Sequence, residues 1–111
     1  DIDGVLLENR GKYGKENWSN SLLPINENIN LIKELYNGGS QIVLTTSRNS
    51  KYLSGIKKIF KDHGIEIHAI VTECNHAPRV IINDFSPTNP YPSCKAINIP
   101  RNGSLNSYLD K

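Results

Sequence analysis

The chain has 111 residues, of which 37% are apolar and 22% charged, and a formal net charge of +2. That length holds one core, and the scattered lysines form no basic block of the kind that nucleic acid or an acidic membrane surface would require. No apolar run is long enough for a transmembrane segment, and two distant cysteines, Cys74 and Cys94, make no disulfide framework, so the reading is cytoplasmic.

The first six residues, Asp1-Ile2-Asp3-Gly4-Val5-Leu6, set two carboxylates two positions apart in front of a glycine. At the end of a parallel strand both side chains leave from the carboxyl edge of the sheet, where open α/β folds bind ligands. The chain contains no methionine and opens on this motif, which reads as a first strand whose body lies upstream of Asp1. Residues 8–24 are polar, with Tyr13 and Trp18 as the aromatic residues, and predict a long loop or flap beside the motif. Ile25, Ile29, Ile32 and Tyr36 recur at helical spacing, and Gly38-Gly39 closes a helix predicted over 25–37.

Gln41 to Thr46 is a β-branched, apolar run that predicts a buried parallel strand. It stops at Ser47-Arg48-Asn49-Ser50, where Ser50 is a candidate cap for the next helix. That helix carries Leu53, Ile56 and Phe60 on one side and Lys57, Lys58 and Lys61 on the other, and ends at His63-Gly64. Residues 65–71 predict a third strand, 80–84 a fourth, 85–94 a proline-rich loop, 95–99 an edge strand and 104–108 a short last helix. Strands alternating with helices argue for an α/β class with a parallel sheet and right-handed crossovers.

In a doubly wound sheet whose order reverses beside strand 1, Asp1 and Asp3, Thr45 and Thr46, and Asp84 end strands 1, 2 and 4 and meet in one crevice. Those residue types suit phosphoryl transfer. Asp1 would be nucleophile and metal ligand, Asp3 general acid and base, Thr46 a hydroxyl on the phosphate and Asp84 a second metal carboxylate. Plainer readings stand beside each: Asp-x-Asp-Gly is ordinary turn chemistry, and Thr46 and Asp84 are also good local caps.

Taken together, Asp1-Ile2-Asp3-Gly4-Val5, Val43-Leu44-Thr45-Thr46-Ser47-Arg48 and Ile81-Ile82-Asn83-Asp84 resemble motifs one, two and four of the haloacid dehalogenase superfamily. The likeness is to its small phosphatase-like members of capsule and surface-polysaccharide biosynthesis. It spans nearly the whole chain and implies one domain over 1–111. The implied fold is a Rossmann-like three-layer sandwich with a parallel sheet of about five strands in the order 5-4-1-2-3. The first strand would be truncated, and residues 8–24 are too short for a folded cap.

The resemblance further implies Mg²⁺ and an aspartyl-phosphate formed on Asp1. Asp3 becomes acid and base with its carbonyl on the metal, Asp84 a metal ligand, and Thr46 a phosphate ligand within a substrate-binding stretch Thr45-Thr46-Ser47-Arg48. Two departures stand out. No lysine precedes strand 4 as a third motif, so Arg79 is the first choice for that cation, with His76 and Arg48 as alternatives. Asn83 stands beside Asp84, and Asn89 meets the downstream acidic position, which lowers the charge offered to Mg²⁺.

The implied activity is a Mg²⁺-dependent phosphatase acting on a small phosphorylated molecule, such as a sugar phosphate in polysaccharide biosynthesis. The departures leave open an impaired domain that binds a phosphorylated ligand or a protein partner. An open, capless site also suits closure by a second copy of the chain. A phosphoacceptor receiver domain would need an acceptor Asp where Val71-Thr72-Glu73 stands, and a dinucleotide enzyme a G-x-G-x-x-G after the first strand.

Overall fold

The apolar stripe that begins at Ile25 becomes helix α1, Asn26–Asn37, in a computed structural model that describes residues 1–11, 18, 22–88 and 93–109. Ile29 and Leu31 are buried, and Ile32 and Tyr36 pack at the margin of the core. The helix ends in a Schellman closure: Ser40 N–H donates to the Leu35 carbonyl and Gly39 N–H to that of Tyr36, both at 3.0 Å. Gly39 sits at φ 105°, which a side chain would resist.

Helix α2, Ser54–Asp62, carries buried Ile56 and Phe60. It closes the same way, Ile65 N–H donating to the Phe60 carbonyl and Gly64 N–H to that of Lys61. Phe60 and Ile65 both join the core, so the cap and the packing support one another. A short 3₁₀ turn, Ser50–Tyr52, precedes α2, and its cap is Asn49, whose side chain accepts from Lys51 N–H at 3.1 Å. Ser50, the predicted cap, is already inside that turn.

Strands β1, Ile42–Thr45, and β2, Ile67–Val71, pair in parallel, with Ile42 opposite Ile67 and Thr45 opposite Val71. Ile42 and Leu44 face a cluster made with Ile2, Leu6, Leu7, Ile29, Leu53, Ile56 and Phe60, whereas Val43 points the other way and is 49% exposed. The described residues thus form a small α/β fold around a two-stranded parallel sheet.

The strands predicted over 80–84 and 95–99 are not formed among the described residues, and Val80, Ile81 and Ile82 are 78%, 71% and 90% exposed. A strand needs a hydrogen-bonded neighbour, and here β1 pairs with β2 alone. Residues 2–7 are not extended: the Ile2 carbonyl accepts from the N–H groups of Val5, Leu6 and Leu7, curling them into a tight turn. Their β pairing is limited to isolated bridges, Asp3 with Leu7 and Leu7 with Pro24.

The flap predicted over 8–24 leaves and returns along one short pairing, with Glu8 N–H donating to Leu23 and Ile25 N–H to Leu6, both at 2.8 Å. Residues 12–17 and 19–21 lie outside the described residues. At the base of α1, Asn28 is fully buried. Its Nδ2 donates to the Val5 and Gly103 carbonyls at 2.8 and 2.9 Å, and its Oδ1 accepts from Leu105 N–H at 2.8 Å. One amide therefore ties the N-terminal turn and the C-terminal segment to α1. Asn28→Ala leaves three backbone groups without their partner and is expected to cost about 3 kcal/mol, read from the urea midpoint at unchanged slope.

Candidate active site

The turn that holds the two aspartates is set by Gly4, at φ 93°, whose N–H donates to the Leu7 carbonyl at 2.7 Å. Beyond it lies a crevice of about 280 Å³, lined by Asp1, Asp3, Ser47, His76, Arg79 and Arg101 among others. The wall opposite the turn is the loop after β2. Cys74 N–H donates to the Thr46 carbonyl and Glu73 N–H to that of Arg48, both at 3.0 Å, so the ends of β1 and β2 travel together. Glu73 takes φ 58° to make that contact. Residues 75–79, which follow, are thereby held at the crevice.

Asp1 contributes a carboxylate whose Oδ1 accepts from Ile2 N–H at 2.9 Å. Arg79 lines the same crevice as Asp1.

Asp3 is gripped by Arg48. Nε donates to Oδ2 at 2.9 Å and Nη2 to Oδ1 at 2.7 Å, a fork-on-fork ion pair with 1% of Arg48 and 11% of Asp3 exposed. Nη1 donates to the carbonyls of Trp18 and Tyr52 at 3.4 and 3.3 Å, and the two rings lie tilted with centroids 5.5 Å apart. The guanidinium is buried beneath the aspartate turn and does not line the crevice.

Thr46 is also turned inward. It is 1% exposed, and its Oγ1 accepts from Arg48 N–H at 3.0 Å, the local cap that a threonine at a strand end commonly makes. Thr45 lines an adjoining groove of about 770 Å³, together with Asp1, Arg79 and Val80. Asp84 is exposed and lines neither space. Asn83 donates to Ser93 Oγ at 3.3 Å, and Asn89 lies outside the described residues. Of the predicted residues, the crevice therefore gathers Asp1, Asp3, Ser47 and Arg79, with His76 beside them.

Three residues that line it carry no signal in the sequence reading: Asn9, Asn75 and Arg101. Pro100-Arg101-Asn102-Gly103 does have turn composition, but no local pattern says that this turn folds back onto Gly4.

Mg²⁺ needs several oxygens converging on one point. Asp1 and Asp3 share the crevice, but both Asp3 oxygens are engaged by Arg48 and Asp84 stands apart. Among the described residues no group of three or more His, Cys, Asp or Glu converges as a metal site. As arranged, the residues do not fit the ion.

A larger cavity, about 930 Å³, lies against α2 and β2 and is lined by Tyr36, Leu53, Lys57, Ile65, Ile67 and Ile70 among others. Glu66, Lys57 and Lys61 also line it, but it holds none of the predicted site residues, several of which line the smaller crevice. No helix among the described residues is long and apolar enough to cross a membrane. Comparison with protein-family models, curated proteins and solved structures gives no match.

Proposed function

We propose that the chain is the core of a phosphomonoester hydrolase, with Asp1 as nucleophile and the crevice as its phosphate site. The observation that carries this reading is the crevice itself, about 280 Å³ lined by Asp1 together with Arg79 and Arg101. A carboxylate alone would repel a phosphate dianion, and cations around it hold that dianion within reach of attack.

In this reading an Asp1 oxygen attacks phosphorus as the bond from phosphorus to the ester oxygen breaks. The leaving alkoxide takes a proton from Asp3. A water then attacks the phosphorus of the aspartyl-phosphate, giving its proton to Asp3 and releasing inorganic phosphate and the Asp1 carboxylate. The Arg48 fork fixes the plane of the Asp3 carboxyl, and Asp3 would have to loosen from that fork to carry the proton. Ser47 and the guanidinium of Arg79 supply donors to the equatorial phosphate oxygens. Thr46 Oγ1 and Asp84 have no assigned step.

The finer architecture belongs to the same proposal. β1 and β2 are parallel neighbours, as strands 2 and 3 of the order 5-4-1-2-3 would be, and the exposed apolar run Val80-Ile81-Ile82 is what a fourth strand of that sheet would bury. The proposed substrate is a small phosphorylated molecule, of which a sugar phosphate of polysaccharide biosynthesis is the example that the sequence resemblance suggests. A second reading, a domain that binds a phosphorylated ligand without turning it over, is favoured by the closed Arg48–Asp3 pair and the remote Asp84.

Hydrolysis of an aryl phosphate by the folded chain, run in EDTA and in millimolar Mg²⁺, separates the two. Turnover in either condition supports the hydrolase, and its dependence on Mg²⁺ would overturn the reading that these residues do not fit the ion. Absence of turnover in both conditions, with phosphate still bound, would leave the binding domain.

A further inference from the structure

We propose that Arg101 is the second phosphate-binding guanidinium of this site, delivered across the aspartate turn from the far end of the chain. The inference rests on the phosphate reading of the crevice and adds a ligand that no motif marks.

The argument begins with how firmly a short polar turn is fixed. Gly103 N–H donates to the Pro100 carbonyl at 2.8 Å, closing a four-residue turn with Arg101 at its corner, and Asn102 adopts φ 61° to make it. Asn102 N–H then donates to the Gly4 carbonyl at 2.8 Å. Its side chain clamps the backbone of Asn9 from both sides, Oδ1 accepting from N–H at 2.6 Å and Nδ2 donating to the carbonyl at 3.0 Å. Asn28, from α1, holds the Gly103 carbonyl from beneath.

The consequence falls on Arg101. Its Cγ lies 3.5 Å from the point where a Cβ on Gly4 would sit, so its aliphatic stem crosses the residue that follows Asp3. A surface arginine with no task needs none of this anchoring, and the positive φ at Asn102 is a conformation that non-glycine residues take at some cost.

Charge points the same way. Asp3 is answered by Arg48, which leaves Asp1 as the other carboxylate on the crevice, facing Arg79 and Arg101. Among the described residues neither of these two guanidinium groups makes a hydrogen bond or ion pair. The surplus is positive, and a planar fork from each side matches the oxygens of a phosphate. With about 280 Å³ available, the crevice encloses the phosphate and a few atoms of the ester, so the ligand class is a small phosphomonoester held mainly by its phosphate.

The test is binding of inorganic phosphate to the 111-residue chain, followed by calorimetry beside phosphorus NMR. Arg101→Met keeps the stem over Gly4 and removes the charge. It is expected to weaken phosphate binding about tenfold, the scale of one charge-assisted hydrogen-bonding group, while the melting temperature stays within about 2 °C. Arg101→Lys, which keeps charge without the fork, is expected to retain part of the affinity. Phosphate binding unchanged in Arg101→Met but weakened in Arg79→Met would overturn the assignment of Arg101 and leave the phosphate site standing. No phosphate binding to the folded wild-type chain at tens of millimolar would remove the site itself, and with it the hydrolase reading.

Discussion

Arg48→Met is expected to destabilise the chain by about 3 kcal/mol or more, because it leaves the Asp3 carboxylate beneath the turn without its partner. The pair is 1% and 11% exposed on its two sides, so water can replace little of what the guanidinium provides. The loss extends past one bond. Arg48 also satisfies the carbonyls of Trp18 and Tyr52, and so joins the flap, the 3₁₀ turn and the aspartate turn through one planar group.

Chemical denaturation of wild type, Arg48→Met, Asp3→Asn and the double variant forms a cycle that isolates the pair. The double variant is expected to be more stable than the sum of the single losses implies, since removing both charges leaves neither one stranded. Additive losses would mean that the two side chains act independently, and that the fork has no role in holding Asp3. Arg48→Lys is expected to fall close to Arg48→Met, because a single ammonium cannot reproduce two parallel bonds to the carboxylate.

The same arginine shows where the sequence was legible and where it was not. The two helices follow from the 3.6-residue stripes at Ile29 to Tyr36 and at Leu53 to Phe60, and their ends from Gly39 and Gly64, where a left-handed residue closes the last turn. β1 and β2 follow from short apolar runs between those helices, and their parallel pairing from the intervening crossover.

Val80-Ile81-Ile82 carries the same composition as β1, yet forms no strand here, because an apolar run becomes a strand only when a neighbour accepts its hydrogen bonds. Spacing placed Thr46 and Arg48 at the correct strand end. It did not say which way they face, and both turn inward, one to cap the backbone and one to hold Asp3. Arg101 was illegible for the opposite reason. Its turn is plain in Pro100-Arg101-Asn102-Gly103, but the contact with Gly4 spans almost the whole chain and depends on Asn9 and Asn28, two amides with no local pattern.

Asp1→Asn is expected to lower aryl phosphate turnover by about three orders of magnitude or more while leaving the fold intact, the scale on which loss of a nucleophile is felt. It is a cleaner probe than the equivalent change at Asp3, where the amide would face a buried guanidinium and mix a folding defect into the kinetics. At Asp1 the hydrogen bond in place is from Ile2 N–H to Oδ1, which an amide oxygen accepts equally well, so stability is expected to stay within about 0.5 kcal/mol of wild type.

Removing the charge also removes a repulsion, because Asp1 shares the crevice with the phosphate as well as with Arg79 and Arg101. Inorganic phosphate is therefore expected to bind Asp1→Asn at least as tightly as wild type, even though turnover is gone. That combination separates a nucleophile from a residue that merely shapes the site, whose loss would weaken binding and rate together. Turnover preserved in Asp1→Asn would move the nucleophile elsewhere and leave the acidic turn as a structural device built around Arg48.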